Sequence, residues 1–589
     1  MKTKCSLNVR LAAVLLSFLI LAQLIAAACA TSPAAPSQPA APQTATKPQG
    51  TTPAAPGVVH APSAPAPSSP ASPQWSAPAG KTRTDNIGLS AGGAKDINNF
   101  RENITRDYLP LPTDITYEGL FYDYYFDTGS DRQCDKLYYP SYNCAVTKDP
   151  ISRKTEYYLS VGLNSGMKQD EFERKLLNLV IVLDISGSMS SPFDEYYYDS
   201  AGMRKTLGYS ERNMQKIEVA KDAINTILEQ LNGNDRLGVV LFNDRSYLLQ
   251  SMEQVRHMDM EELADSIDEI RANGSTNLSA GIQLATDMVS KYRDADQDIY
   301  ENRIMFLTDA MPNQGETWES SLLGILKRNA GDRIYTTFIG IGVDFNTELV
   351  EYISKVRGSN YYSVHSPGEF AERMDNFDYM VTPLVFNLKM RLDAKGWDIE
   401  TVYGSPDADM ATGDLMKIST LFPSERQDGE TRGGLVLLKL KKRSGNDDEL
   451  RLRVTYEDRC GRADSSESVI FLEKTRPEYF ETSGIRKGVL LARYADLMKD
   501  WLIDQRGHFS SKDGSWLPRV NPECGIIIPA LTGTWERQSS PLIVSSSYRS
   551  LFREFGQYFR DEMDEIGDTA LAQELDILRR LGGQKGWAD

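Results

Sequence analysis

The chain has 589 residues, of which 82 are acidic and 65 basic, so its formal net charge is −17 and its length allows several domains. This acidic balance argues against a nucleic-acid partner and against charge-driven binding to anionic lipid. The four histidines are far apart, and the sequence has neither His-Glu-x-x-His nor Cys-x-x-Cys, so the local patterns of a zinc protease or zinc ribbon are missing.

Residues 1–28 are predicted to be a secretory signal peptide. A basic segment ending at Arg10 precedes an apolar stretch over 11–28, which closes with small residues. The sequence Ala26-Ala27-Ala28-Cys29 resembles a bacterial lipobox, although Leu is usual in place of Ala26. This favours lipidation of Cys29 and a lipid-anchored place in a bacterial cell envelope, with cleavage by an ordinary signal peptidase as the alternative.

Residues 29–84 are rich in Ala, Pro, Ser and Thr and are predicted to be a disordered, extended tether. Beyond the tether the chain carries Cys134, Cys144, Cys460 and Cys524, an even number in an exported protein. Cys134 with Cys144 would close the shortest disulfide loop, and Cys460 with Cys524 would follow by elimination. Free buried thiols are the alternative.

Residues 85–174 are predicted to be an N-terminal β region. A short helix is expected over 96–101, and β-branched and aromatic runs at 116–126 and 156–163 predict antiparallel strands.

Residues 175–382 alternate between strand-like and helix-like segments, which predicts an α/β domain with a doubly wound, mostly parallel sheet. The apolar run at 176–183 reads as its buried central strand. An insert over 190–213, rich in tyrosine, follows that strand. It could form either a recognition surface or a solvated loop, and the sequence does not favour one over the other.

Residues 383–475 return to an antiparallel strand pattern. Strand-like runs on both sides of the α/β unit predict that it is inserted in one β-sandwich, with separate small β domains as the alternative. Residues 476–589 are predicted to be a C-terminal helical region, whose apolar stripes favour core packing over a partner-binding helix.

Five oxygen-bearing residues fall at the carboxyl ends of predicted strands or in the loops beside them. Asp184, Ser186 and Ser188 follow the central strand, Thr276 precedes a helix, and Asp309 ends a later strand. In a doubly wound sheet these loops share one edge. Two carboxylates and three hydroxyls are hard ligands, so the set predicts a Mg²⁺ or Mn²⁺ site.

This pattern resembles the metal-ion-dependent adhesion site of von Willebrand factor type A (VWA) domains, whose first motif is Asp-x-Ser-x-Ser. The resemblance covers about residues 175–382 and includes the stretch at 340–344. It implies that Ser186, Ser188 and Thr276 would bind the metal directly, and that Asp184 and Asp309 would act largely through water. With its flanking regions, the chain also resembles secreted bacterial VWA proteins.

The resemblance implies an envelope binding protein that captures a protein ligand through an Asp or Glu side chain. A metal-assisted hydrolase is the alternative, but no histidine or lysine lies within the three loops to serve as a general base. A regulator of an envelope assembly would differ from the binding protein only in its partner.

Overall fold

The computed structural model describes residues 86–129, 134–191, 197–198, 204–205, 214–309, 319–342, 347–364, 370, 374, 376–393, 396–405, 415–443, 449–471, 478–507, 519–520, 527–528 and 541–583. The predicted signal peptide, Cys29, the tether and Cys524 lie outside the described residues, as does most of the 190–213 insert.

The strands are β1 (Asn86–Ala91), β2 (Gly93–Ala94), β3 (Tyr125–Phe126), β4 (Tyr139–Lys148), β5 (Thr155–Lys168), β6 (Leu176–Asp184), β7 (Tyr197–Tyr198), β8 (Arg204–Lys205), β9 (Arg236–Phe242), β10 (Ser246–Gln254), β11 (Tyr300–Thr308), β12 (Ile334–Ile341), β13 (Asn360–Val364), β14 (Val385–Asp393), β15 (Trp397–Tyr403), β16 (Leu415–Ser424), β17 (Arg426–Gln427), β18 (Glu430–Arg432), β19 (Leu435–Lys442), β20 (Glu449–Asp458), β21 (Ala463–Phe471), β22 (Tyr479–Phe480), β23 (Arg519–Val520) and β24 (Ile527–Ile528). The helices are α1 (Asn98–Thr105), α2 (Tyr117–Tyr122), α3 (Lys216–Glu229), α4 (Met260–Asp268), α5 (Leu278–Val289), α6 (Glu319–Gly331), α7 (Thr347–Ser354), α8 (Phe377–Val381), α9 (Ser483–Gly507), α10 (Ser546–Ile566) and α11 (Ala572–Leu581).

Seven strands form the α/β sheet, in the order β10-β9-β6-β11-β12-β13-β2. Strand β10 pairs antiparallel with β9, and the other pairings are parallel. Strand β6 is central, with Val182 opposite Val240 on one side and Phe306 on the other. The predicted doubly wound, mostly parallel sheet is therefore confirmed.

The side chains of β6 alternate between two hydrophobic cores, one on each face of the sheet. Leu179 and Ile181 belong to the core that contains Ile217 and Ala220 of α3. Val180 and Val182 belong to the opposite core, with Ile282 of α5. The continuous apolar stretch from Leu179 to Leu183 is what a strand covered by helices on both faces requires.

The seventh strand of this sheet comes from the N-terminal region. Residues Gly93 and Ala94 pair in parallel with Asn360 and Tyr361 of β13. The next two residues extend the contact: the Lys95 N–H donates to the Tyr361 carbonyl at 3.0 Å, and the Ser363 N–H donates to Oδ2 of Asp96 at 3.0 Å. A two-residue strand has no periodicity of its own, so the sequence pattern did not indicate it.

Strands from both flanks of the α/β unit share a ten-stranded antiparallel sheet. Its main order is β15-β19-β5-β1-β16-β14-β20-β21, and β4 pairs with β5 and β22. Strands β1, β4 and β5 precede the α/β unit, whereas β14 to β21 follow it. The predicted insertion is therefore confirmed.

The ten-stranded sheet folds over its own core in the manner of a sandwich. Four strands separate β4 from β20 along the hydrogen-bonded order, which would place them about 24 Å apart in a flat sheet. Yet the rings of Tyr138, just before β4, and Tyr456 in β20 meet with centroids 5.4 Å apart. The core between the two halves includes Leu159, Leu388 and Leu452.

The strand predicted over 116–126 is wrong for most of its length. Residues Tyr117–Tyr122 form helix α2, and only Tyr125–Phe126 form a strand. The Thr116 hydroxyl accepts the Gly119 N–H at 3.0 Å, so it caps the helix at its first turn. This local cap outweighs the β propensity of the aromatic residues.

The C-terminal helices pack against the outside of the ten-stranded sheet and against the N-terminal region. Trp501 of α9 and Phe552 of α10 are fully buried and meet edge to face, with ring centroids 5.5 Å apart. Arg101 of α1 pairs with the buried carboxylate of Glu574 in α11. The prediction that these helices serve core packing is confirmed. Among the described residues no helix is long and apolar enough to cross a membrane.

The predicted Cys134–Cys144 disulfide is not formed. The carbonyl of Cys134 lies against Gly166, near the end of β5, whereas Cys144 is paired with Leu159 in the same strand. Seven residues of strand correspond to about 23 Å, far beyond the separation a disulfide can bridge. The Cys144 thiol instead donates to Glu481 at 3.2 Å, and Cys460 is also a free cysteine. The expected Cys460–Cys524 pair involves a residue outside the described ranges.

Candidate metal centre

The first part of the candidate site is the turn that follows β6. Asp184 ends the strand, and its Oδ1 accepts the backbone N–H of Ser186 at 2.9 Å. A single 3₁₀ turn over Gly187–Ser190 comes next. The hydroxyls of Ser186 and Ser188 lie 3.0 Å apart, so alternate residues of the turn present their oxygens to the same place.

The second part is the loop before α5. Gly274 accepts the Gly187 N–H at 2.9 Å, which brings this loop against the first turn. Its φ of +83° lies in the left-handed region that glycine adopts without strain. Thr276 is buried two residues later, and Asn277 then caps α5 by accepting the Ala280 N–H at 3.2 Å.

The third part is the end of β11, the strand beside β6. The Thr308 hydroxyl donates to Oδ2 of Asp184 at 2.7 Å. The Ser188 hydroxyl donates to Oδ1 of Asp309 at 3.2 Å. Hydrogen bonds therefore join Asp184, Ser186, Ser188 and Asp309, while Thr276 lies in the loop held to them through Gly274.

Both carboxylates of the site are fully buried. Burial, together with the neighbouring charge of Asp309, raises the pKa of Asp184 to about 7, although its hydrogen bonds from Ser186 and Thr308 favour ionisation. Two buried carboxylates close together are costly unless positive charge compensates them. The electrostatics of the site therefore favour a cation.

Lys216, which belongs to none of the predicted metal motifs, supplies one such charge. Its ammonium nitrogen lies 3.0 Å from Oδ2 of Asp309, and both side chains are fully buried. The lysine is the first residue of α3, 93 positions before Asp309. Lys216 follows the insert and lies in none of the three loops. In the sequence it is recognisable only as part of the amphipathic start of α3.

The donor chemistry of the site fits a hard divalent cation. The five predicted residues contribute only carboxylate and hydroxyl oxygens, which suit Mg²⁺ or Mn²⁺ better than zinc or copper. Within the described ranges, no group of three or more His, Cys, Asp or Glu side chains is placed to hold a metal ion. Any metal at the candidate site would thus depend on the hydroxyls as well as the two carboxylates.

Residues 179–312 match the family model of the von Willebrand factor type A domain, and this segment contains all five predicted ligands. An uncharacterised protein of Synechocystis is 26% identical over 217 residues, covering 36% of this chain and 44% of that protein. Inter-alpha-trypsin inhibitor heavy chain H1 of Mesocricetus auratus is 22% identical over 308 residues, covering 51% of this chain and 29% of that protein. The chain thus spans less than half the length of either relative.

Two solved structures are also similar to the chain. One is a von Willebrand factor type A protein from Catenulispora acidiphila, with 14% identity, a TM-score of 0.39, and coverage of 72% of this chain and 96% of that one. The other is the ArnB paralog VWA2 from Sulfolobus acidocaldarius, with 12% identity, a TM-score of 0.37, and coverage of 76% and 100%.

Proposed function

Since this chain contains a von Willebrand factor type A domain, we propose that it is a binding protein that captures an acidic group of a protein partner through a divalent cation. The cation would be Mg²⁺ or Mn²⁺. We propose no enzymatic reaction for the site.

The observation that supports this proposal is the line of hydrogen bonds from Asp184 through Ser186 and Ser188 to Asp309. Three loops converge on one edge of the sheet with oxygen ligands only. The hydroxyls of Ser186, Ser188 and Thr276 would hold the cation directly, and the two carboxylates would hold its water ligands. When bound, such a cation offers an open coordination position to a carboxylate.

We also propose that the protein is exported and anchored to a bacterial membrane by lipid on Cys29. The support is the basic and apolar pattern of residues 1–28 and the small residues before Cys29. The tether of about 50 residues would then let the binding domain reach on the order of 100 Å or more from the membrane at polyproline rise.

Capture from an envelope extract tests the proposed function. The immobilised protein should retain a partner in Mg²⁺ and release it in a chelator, and the Asp184→Ala variant should retain none in either buffer. Asp287→Ala, which removes an exposed carboxylate of α5 in the same domain, is the matched control and should behave as wild type. Capture that is indifferent to chelator would refute the metal-bridged model.

A further inference from the structure

Lys216 occupies a fixed position in the candidate site. Its backbone N–H donates to the Ser191 carbonyl at 3.1 Å, which ties the start of α3 to the end of the turn that carries Ser186 and Ser188. The next residue, Ile217, is buried in the core on the α3 face of the sheet. These contacts fix the backbone of Lys216 beside the turn, within reach of Asp309.

The ammonium of Lys216 also restricts what Asp309 can do. Oδ2 of Asp309 is held by the ammonium at 3.0 Å, and Oδ1 accepts from the Ser188 hydroxyl at 3.2 Å. With both oxygens engaged, Asp309 is kept from enclosing a cation as a direct bidentate ligand. A cation at the hydroxyls would therefore keep much of its charge uncompensated.

The charge balance of these side chains has a direct consequence. With both carboxylates ionised, Asp184, Asp309 and Lys216 together carry a net charge of −1. A divalent cation changes the total to +1, and a carboxylate from a ligand returns it to zero. In a buried site, where charges interact strongly, the neutral combination of cation and carboxylate is favoured over the cation alone.

We propose that Lys216 makes the divalent cation and the acidic ligand bind cooperatively, so that each raises the affinity of the other. This inference rests on the proposed function, with Lys216 as the residue that regulates binding of the cation and the acidic ligand. Without the lysine, the two carboxylates alone would balance a divalent cation, and a ligand carboxylate would then add an uncompensated negative charge. Lys216 thereby ensures that the cation is held firmly only when an acidic partner is present.

Calorimetric titration of the protein with Mg²⁺, with and without acetate as the carboxylate probe, tests this cooperativity. In wild type, acetate should raise the Mg²⁺ affinity at least fivefold, and Mg²⁺ should raise the acetate affinity by the same factor, since the coupling is reciprocal. Lys216→Met should bind Mg²⁺ alone at least tenfold more tightly than wild type and show no effect of acetate. Lys216→Arg, which keeps the charge, should retain the coupling.

A double variant separates charge from a merely structural role of the lysine. Lys216→Met combined with Asp309→Asn has the same net charge of −1 as wild type, so coupling between Mg²⁺ and acetate should return even if the affinity for Mg²⁺ is lower. This variant also leaves no unpaired charge at position 309, so it tests the inference if the single variant does not fold.

The outcomes distinguish this inference from the proposed function. If wild type binds Mg²⁺ but acetate has no effect, or if Lys216→Met keeps the coupling, the role of Lys216 is refuted and the metal site stands. If wild type binds neither Mg²⁺ nor Mn²⁺, the proposed function itself fails and the inference falls with it.

Discussion

The hydroxyl of Thr308 donates a 2.7 Å hydrogen bond to Oδ2 of Asp184, and so joins the ends of β11 and β6. The other oxygen of Asp184 accepts the Ser186 N–H at 2.9 Å. Asp184 therefore has two roles at the edge of the sheet: its negative charge attracts a cation, and its oxygens hold the turn. An amide of the same size preserves most of the second role while removing the first.

Asp184→Asn should abolish metal binding with little effect on folding. The amide oxygen accepts the Ser186 N–H, and the Thr308 hydroxyl can rotate to accept from the amide nitrogen. At about pH 4, where Asp184 is protonated in the folded protein, the free energy of unfolding without metal should therefore change by less than about 1 kcal/mol. The Mg²⁺ affinity should fall at least 100-fold. Calorimetry and thermal unfolding in chelator measure the two effects, with Asp287→Ala as the control; wild-type affinity in Asp184→Asn would contradict the site.

The metal-free protein should lose stability from Asp184 as the pH rises from about 4 to about 7. Its pKa is raised to about 7 in the folded state by burial and by Asp309, whereas an unfolded aspartate titrates near about 3.9. Between these values only the folded protein binds the proton, so raising the pH lowers the free energy of unfolding. Above about 7 both states are ionised and the contribution is constant.

Other buried groups titrate in the same range, so the informative quantity is the difference between wild type and Asp184→Asn. Denaturant unfolding in chelator should show that wild type loses stability relative to the variant between pH 5 and pH 8. Adding Mg²⁺ at pH 8 should restore the stability of wild type. A difference that does not change with pH would show that Asp184 titrates normally.

The β strands after the VWA domain should not fold without those before it. Strands β5 and β1 lie between β19 and β16 in the ten-stranded sheet, so a fragment of residues 384–475 lacks the middle of its own sheet. We expect this fragment to show no cooperative unfolding, and we expect hydrogen exchange in the full chain to protect β5 and β19 together. A fragment that unfolds cooperatively would contradict the shared sheet.

The cysteines should behave as thiols in the native protein. Cys460 is exposed and should react with an alkylating reagent in the native protein, slowly because burial and Asp298 raise the pKa of its thiol, whereas Cys144 is buried and should react only after unfolding. Peptide mass spectrometry without reduction measures the extent of alkylation at Cys460 and Cys144. A peptide in which Cys134 and Cys144 are joined would show that the hairpin of β4 and β5 rearranges on oxidation.

The parts of the fold that the sequence predicted are those with a strong local pattern. The five residues from Leu179 to Leu183 before Asp184 are all apolar, because helices cover both faces of β6, and the Asp-x-Ser-x-Ser spacing places three oxygens on one turn. The parts it missed depend on tertiary contacts or on a single cap. Thr116 turns an aromatic run into a helix, and Lys216 reaches Asp309 only because α3 packs against β6 and the turn that follows it. The Thr116 cap is a local signal that the aromatic residues after it obscure, whereas Lys216 and Asp309 are 93 residues apart and have no spacing that a sequence pattern could reveal.

The position of β1 determines how the protein would carry mechanical load. The chain enters the described structure at Asn86, and β1 runs between β5 and β16, antiparallel to both. A force that pulls on this end of the chain along the strand would have to shear two ladders of hydrogen bonds together, rather than peel an edge strand open one bond at a time. The VWA domain joins the same sheet through β5 and β14, so tension between this domain and the chain before Asn86 would be carried by these two ladders.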